Sequence, residues 1–274
     1  MMTRQNQQSG FSLVELMIAM LVGLVLVGAV IQVFVSNKRS YVTADDTSVL
    51  NDNARYALSV LSRQLRLSGH QFEPMLGREN SFTNQTVAFS NPSASIQFDP
   101  GTYVFGTATN AGNYDTLYMR FQGSSVKPLD VCGQSVSTDT INTVRYSVRT
   151  VDYELGSDTG VLGCNVSNSG EQYFSDHVEV FRVLYGIDSN NDDVADKYVS
   201  ANKVLPANSS RPVKGTEWEQ VVSLKIGLLL RSNNRIKSNG DSVSYQVLDK
   251  SVSYSDAFAR KVVTSTISLR NRLP

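Results

Sequence analysis

The sequence predicts an α+β protein, one long N-terminal α-helix packed on a C-terminal antiparallel β-rich domain. Three observations predict it. Residues 11–35 read FSLVELMIAMLVGLVLVGAVIQVFV, and only Ser12, Glu15 and Gln32 interrupt the apolar character. Leu50, Ala54, Ala57, Leu58, Leu61 and Leu65 then recur at spacings of three and four, with no proline before Pro74. That is the period of one apolar helical face. From about Gly69 the pattern changes to short alternating runs between Gly, Asn, Ser and Asp clusters, which read as strands and turns.

The first run is long enough, at about 1.5 Å per helical residue, to cross the ~30 Å hydrocarbon core of a bilayer. A buried core helix is the competing explanation, but a run this long with one charge is usually membrane-borne. An ordinary single-pass anchor fits as well. Glu15 needs a reason, since a charge in that setting costs about 2.5–3.5 kcal/mol on insertion scales. One reason is local: Ser12-Leu13-Val14-Glu15 fits the capping-box pattern S-x-x-E, in which the carboxylate satisfies a free N–H and complements the helix dipole. Gly23 and Gly28 read as close-packing or flexible points.

The second half of the helix is apolar on one face, with Arg55, Arg63 and Arg66 largely off that stripe. The predicted helix spans 11–68, apolar all round over about 11–35, with Gly69 as its stop. The β-rich domain takes 69–274. Expected strands are Thr86–Phe89, Ser95–Phe98, Thr116–Phe121, Thr143–Tyr153, Val178–Tyr185, Gln220–Leu230, Ser242–Leu248 and Val262–Leu269. Alternation is clear in Val144, Tyr146 and Val148, with Arg145, Ser147 and Arg149 between them, and recurs with a one-residue slip in Val178, Val180 and Val183. Strands without a second long helical pattern suggest a layered antiparallel domain behind the helix.

Composition excludes several functions. The 274 residues carry 25 basic and 25 acidic side chains, so no net charge draws the chain to nucleic acid. Two cysteines and two histidines make a zinc site or a Cys/His catalytic centre improbable. There is no G-x-S-x-G elbow, P-loop or dinucleotide fingerprint. His70 reads as a helix-end residue and His177 as a strand-edge residue. The sequence therefore predicts no enzyme.

The ten residues before the apolar run, MMTRQNQQSG, place the small residue ahead of the run. A secretory signal places it behind. Gly10, Phe11, Ser12, Leu13 and Glu15, with the unbroken run after them, resemble the type IV prepilin signal. Asn53-Ala54-Arg55-Tyr56-Ala57-Leu58, Tyr185-Gly186-Ile187-Asp188, VVSLKIGLLLR from Val221 and TISLRNRL from Thr266 resemble the PilW family of type IV pilus minor pilins. The helix is also similar to that of the J-type minor pseudopilin of type II secretion.

The resemblance implies a leader at 1–10, cleaved by a prepilin peptidase after Gly10, and N-methylation of Phe11. It implies that Glu15 pairs with the N-terminal amine of a neighbouring subunit during assembly. Before assembly the chain would be a single-pass bacterial inner-membrane protein with its globular domain in the periplasm. Lys38 and Arg39 vote weakly against that orientation under the positive-inside rule. After assembly it would sit on the pilus at the cell surface, at or near the fibre tip, where it helps prime assembly. Its partners would be other minor pilins, the major pilin, the inner-membrane assembly machinery and a tip adhesin. Alternatives are a type II secretion minor pseudopilin, or a pilus-tip binding module for a surface, a sugar or DNA, marked by a concave aromatic or basic patch on the β domain.

In the periplasm implied by the resemblance, the lone cysteines Cys132 and Cys164 are expected to form a disulfide. Two buried free thiols are the alternative. Ca²⁺ is the one candidate cofactor. Asp188, Asn190, Asp192 and Asp196 occupy positions 1, 3, 5 and 9 of an EF-hand-like loop, and hard oxygens at alternate positions suit calcium. Asp193 stands where the sharp turn wants Gly, and Val199 where a bidentate Glu belongs. An Asn/Asp-rich turn between strands explains the same residues.

Overall fold

In the computed structural model the apolar run and the stripe are one helix, α1 (Leu13–Leu65). The structure describes residues 12–72, 78–90, 93–108, 112–137, 139–151, 159–167, 169–204, 216–236 and 242–272. The chain divides into two compact units, Met1–Asp46 and Thr47–Pro274. In the first, the large apolar side chains from Leu13 to Val35 are exposed. Its 18-residue window of mean hydropathy 2.8 has no buried residue and is long and apolar enough to cross a membrane.

In the second unit Leu50, Ala54, Ala57, Leu61 and Leu65 are buried in the main core and Leu58 packs against it, while Arg55, Arg63 and Arg66 are exposed. Removing each leucine from water contributes about 1.5–3 kcal/mol, and the two alanines let the helix lie close to its partner. Polar ties fix its register. Asn53 Nδ2 donates to the Asp176 carbonyl at 2.9 Å, and Asn53 Oδ1 accepts from Ser175 Oγ at 3.1 Å. The helix stops three residues earlier than expected. Leu67 N bonds to Gln64 O and Ser68 N to Leu65 O, the tighter i→i+3 geometry of a closing turn. Gly69 follows with φ +76°, and Asn271 Nδ2 donates to the Arg66 carbonyl at 2.7 Å, taking up one of the free acceptors at the helix end.

The sheet is larger than expected. The described residues hold a short helix, α2 (Arg78–Ser81), and fourteen strands where eight were predicted. They are β1 (Gln85–Ser90), β2 (Ser93–Phe98), β3 (Val104–Thr107), β4 (Thr116–Gln122), β5 (Leu129–Val131), β6 (Gln134–Val136) and β7 (Ile141–Val151). Then come β8 (Thr159–Val166), β9 (Glu171–Ile187), β10 (Lys197–Ser200), β11 (Val221–Arg235), β12 (Val243–Val247), β13 (Lys250–Tyr254) and β14 (Phe258–Ser268). Eight of them form one sheet in the order β14-β11-β9-β8-β7-β4-β3, with β10 paired to β9, and its strand pairs are antiparallel. Three two-stranded hairpins, β1–β2, β5–β6 and β12–β13, stand apart from it. Asp152 and Tyr153, expected at the end of β7, lie outside the described residues.

The two faces of β11 explain its nearly continuous apolar run. Leu224, Ile226, Leu228 and Leu230 join the main core with the α1 stripe. Leu229 points the other way, into a smaller cluster with Val180 and Val247, as the period of two requires. The β12–β13 hairpin covers that second face through Tyr245, Val252 and Tyr254. The one-residue slip in Val178, Val180 and Val183 is a bulge: consecutive Leu229 and Leu230 pair with Val180 and Val178, so the two valines enter different clusters.

Arg145 corrects the simple alternation. Set between the core residues Val144 and Tyr146, it is itself buried, with its guanidinium carbon 4.9 Å from the Phe89 ring of β1. His177, expected at a strand edge, lies within β9 with φ +57°. It sits where the pairing of β9 with β8 shifts register between Val178 and Ser175.

Ion pairs seat the outer hairpin. Asp115 accepts from Arg182 Nη1 at 2.5 Å and from Val183 N at 2.9 Å, and Arg182 reaches on to Asp249 in the β12–β13 turn at 3.1 and 3.2 Å. A parallel chain runs from Glu179 through Arg260 to Asp256, with the Arg260 guanidinium 3.8 Å from the Tyr254 ring. Burial pushes the Asp115 carboxyl up to about 6 from 3.8, against the lowering pull of the Val183 N–H and of Arg182; Asp249 raises it further and Lys250 lowers it.

A carboxyl raised on folding holds its proton more tightly in the folded chain. Its stabilising contribution is therefore present at low pH and is lost as pH rises through the folded value. The expected outcome is that the melting temperature of the unmutated chain minus that of Asp115→Asn is larger at pH 4 than at pH 7. Thermal melts of both proteins across that range check it, and a pH-independent difference would contradict the assignment.

Candidate functional site

The residues singled out in the sequence do not meet in one place. Gly10 and Phe11 lie outside the described residues. Ser12 opens the helix, its carbonyl accepting from Leu16 N at 3.1 Å. Glu15 stands in the first turn of α1, among exposed apolar neighbours including Leu13, Val14, Leu16 and Ile18. A carboxylate in a helix's first turn complements the dipole. Among the described residues of the unit Met1–Asp46 nothing covers the large apolar side chains around it, so this surface is suited to meet something apolar outside itself.

Cys132 and Cys164 form a disulfide with their Cα atoms 5.9 Å apart. Cys132 and Gly133 make the two-residue turn of the β5–β6 hairpin, both with positive φ, the signature of a primed hairpin turn. The bond ties that hairpin tip to β8, and both cysteines are buried. Closing a loop of 32 residues stabilises by roughly 3–4 kcal/mol in the chain-entropy model.

The acidic loop joins β9 to β10, which pair with Ile187 opposite Lys197. Asp188 is buried, and its carboxylate serves the loop's own backbone. Oδ1 accepts from Asn191 N at 2.7 Å and Asp192 N at 3.3 Å, and Oδ2 from Asp193 N at 3.0 Å. Asp196 Oδ2 accepts from Ser189 N at 2.7 Å, Asn190 Oδ1 from Asp192 N at 3.1 Å, and Asp192 Oδ1 from Val194 N at 2.9 Å. Asn191 and Asp193 adopt φ +61° and +63°, which Asn and Asp tolerate better than most residues. Thus Asp193 takes the left-handed turn without a glycine. Each of the four expected ligands accepts a backbone bond or, for Asp192, also Asn190 Nδ2 at 3.1 Å. Among the described residues no group of three or more His, Cys, Asp or Glu is placed to hold a metal ion.

Some structural residues gave no sequence signal as sites. Gln64 sits on the buried face of α1 and accepts from Tyr146 OH at 2.8 Å. Arg120 is buried between the Phe82 and Phe98 rings, 5.5 and 4.9 Å from its guanidinium carbon. It donates to the carbonyls of Thr102 and Thr83 at 2.9 and 2.7 Å, and burial lowers its pKa to about 10. Polar residues inside an apolar period mark such positions, but only the fold reveals their partners.

Comparison with known proteins adds three findings. The family model described as "Type IV Pilus-assembly protein W" matches residues 137–271, which run from just before β7 almost to the end of the described chain. The model described as "Prokaryotic N-terminal methylation motif" matches residues 5–31. Among solved structures, the chain is similar to the Type IV-like pilin TTHA1219 from Thermus thermophilus, at 16% identity and a TM-score of 0.46, with 84% of this chain and 98% of that chain covered. No curated protein matches it.

The acidic loop can be tested directly. Asp188→Ala leaves three backbone donors without their acceptor, at about 1–3 kcal/mol for each that stays buried and unsatisfied. The expected outcome is a lower melting temperature for this variant even in the presence of a calcium chelator. Repeating the melts with added calcium measures the ion separately. A calcium-dependent rise in the unmutated chain that disappears in Asp188→Ala/Asp192→Ala would mark an ion site, because ligand bound only to the native state stabilises it.

Proposed function

We propose that this chain, carrying a PilW-type domain behind an N-terminal methylation motif, is a minor subunit of a type IV pilus that acts in priming fibre assembly and resides at or near the tip. One observation carries the reading. The methylation-motif match at residues 5–31 overlaps, from Leu13 on, the part of α1 whose large apolar side chains are exposed, and the same helix continues into the unit that holds the PilW match. A surface of that kind needs a bilayer before assembly and neighbouring apolar helices after it.

On this reading a prepilin peptidase cleaves between Gly10 and Phe11 and Phe11 is methylated on nitrogen. The domain from Thr47 onward lies in the periplasm until the subunit enters the fibre. Its partners are other minor pilins, the major pilin and the inner-membrane machinery. The role is structural: the family that matches is named for pilus assembly. N-terminal sequencing of the mature protein is expected to begin at Phe11, and a start near residue 36, as after conventional signal cleavage, would sink the proposal.

Glu15 allows a sharper test. In a bundle of apolar helices its carboxylate is costly alone, and a charged terminal amine of a neighbour at the same depth offsets that cost. A methylated amine keeps its charge. A purely local capping role makes a different demand, because Gln serves at that capping-box position as well as Glu. The expected outcome for Glu15→Gln is normal insertion and cleavage, with depletion from sheared pili and weaker recovery with partner pilins from membranes. Normal incorporation would leave Glu15 as a helix cap.

A further inference from the structure

A cleft of about 280 Å³ opens beside the disulfide, between α1 and β9. Gln64, Cys132 and Cys164 are buried and line its inner part, while Tyr56, Arg63, Asp130 and Tyr173 are exposed and line its outer part. All of them belong to the unit Thr47–Pro274. Nothing in the pilin reading uses this cleft.

Two of its features are built rather than incidental. Gln64 is 3% exposed, and its Oε1 is taken by the Tyr146 hydroxyl at 2.8 Å. That bond fixes the amide and leaves Nε2 without an acceptor among the described residues. Gln64 lines the cleft, so its Nε2 is a fixed amide donor that a ligand there can meet.

The second feature is Tyr173. It is 44% exposed, yet its hydroxyl is held from both sides. It accepts from Arg149 Nη1 at 3.1 Å and donates to Glu171 Oε2 at 2.7 Å. The ring lies against Gly163, where a Cβ would meet Tyr173 Cδ1 at 2.8 Å. An exposed aromatic ring fixed in place at a cleft is a stacking platform with little ordering entropy left to lose.

The chemistry of the lining selects the ligand. Arg63 and Asp130 carry opposite charges, so the site favours neither an anion nor a cation. An apolar ligand would want apolar walls, and here amide, carboxylate and guanidinium groups share the lining with the rings. A peptide strand would need a free sheet edge, but β8 is paired to β7 and β9, and β9 to β8 and β11. What remains is a neutral molecule with an apolar C–H face for the tyrosines and many hydroxyls for planar donors and acceptors. A cleft of this volume lies at the small end of the roughly 300–1,000 Å³ of small-molecule sites, which suits one or two sugar rings.

We propose that this cleft binds a neutral hexose unit, stacked on Tyr173 and hydrogen-bonded through Gln64 Nε2, Arg63 and Asp130.

The probe set is glucose, galactose, mannose and N-acetylglucosamine, each added to the full-length chain in dodecylphosphocholine, a detergent without a sugar headgroup. Saturation-transfer NMR reads which sugar protons touch the protein. The expected result is transfer to the ring C–H protons of at least one sugar. Tyr173→Ala and Arg63→Ala, both substitutions of exposed side chains, each weaken its binding at least tenfold, while Val126→Ser, at an exposed site outside the cleft, does not. Melting temperatures establish that the variants are folded. Absence of transfer from all four sugars overturns the proposal, as does transfer that persists unchanged in Tyr173→Ala. Loss of partner-pilin recovery in Tyr173→Ala without sugar transfer in the unmutated chain overturns it too, and assigns the cleft to a subunit contact. None of these outcomes bears on cleavage at Gly10, so the pilin reading stands or falls separately.

Discussion

Burial of the stripe Leu50, Ala54, Ala57, Leu61 and Leu65 against the sheet is the contact on which the domain depends. The sheet's strands β4, β7, β9 and β11 each send buried side chains into the same cluster, and without the helix that face would lie open to water. The register of the contact is set by polar groups at its two ends. Asn53 is tied to β9 near the start, and Asn271 takes up a free carbonyl at the finish. Two small residues in the middle of the stripe bring the backbone close, so Asn53 and Gln64 on the same helix can reach β9 and β7. Apolar area supplies the driving force, and the asparagines restrict the helix to one sliding position.

The opposite face of the sheet is held differently. The cluster there is small, with Val180, Leu229 and Val247 at its centre, and apolar burial alone would position the β12–β13 hairpin poorly. Two carboxylate–arginine–carboxylate chains, through Arg182 and Arg260, cross from the sheet to the hairpin or its flank. Ion pairs buried like these add little net stability compared with apolar packing, but removing one partner is costly. They are suited to specifying where the hairpin sits. The raised pKa of Asp115 is the visible sign of that cost, since its cause is burial.

These two faces explain what the sequence discloses and what it hides. The α1 stripe was legible because a helix buried on one side leaves a period of three and four. The run from Val221 to Arg231 was legible as a strand because it is covered on both faces and nearly continuous. Thr159–Val166 was not, since Gly160 and Gly163 break its alternation where side chains and backbone of the neighbouring strands approach closely. Val104–Thr107 and Lys197–Ser200 are too short to show a period. Arg145 alternates with Val144 and Tyr146 yet is buried like them, because β1 covers its face of β7, which alternation alone does not disclose. Of the site residues, the cysteine pair was legible from compartment and number. The acidic loop was legible as a cluster, but its spacing alone could not reveal that Asp188 faces inward and serves the backbone. Gln64 and Tyr173 gave no signal, because their roles arise from strands and helix turns far apart in sequence.

The exposed half of α1 carries the last step of the argument. From Leu13 to Val35 the helix presents leucine, valine, isoleucine and methionine in every direction, a surface that water does not tolerate in isolation. Such a helix is stable only where its surroundings are apolar on all sides, and two surroundings qualify: hydrocarbon, or a ring of similar helices. Glu15 distinguishes them. In hydrocarbon it is a penalty with no return, whereas among helices it is a penalty that a neighbour's cation can cancel. A single carboxylate in the first turn of an otherwise apolar segment therefore favours the second state over the first once a partner terminus is present. On the pilin reading proposed above, it gives the subunit a reason to leave the bilayer in register with its neighbour.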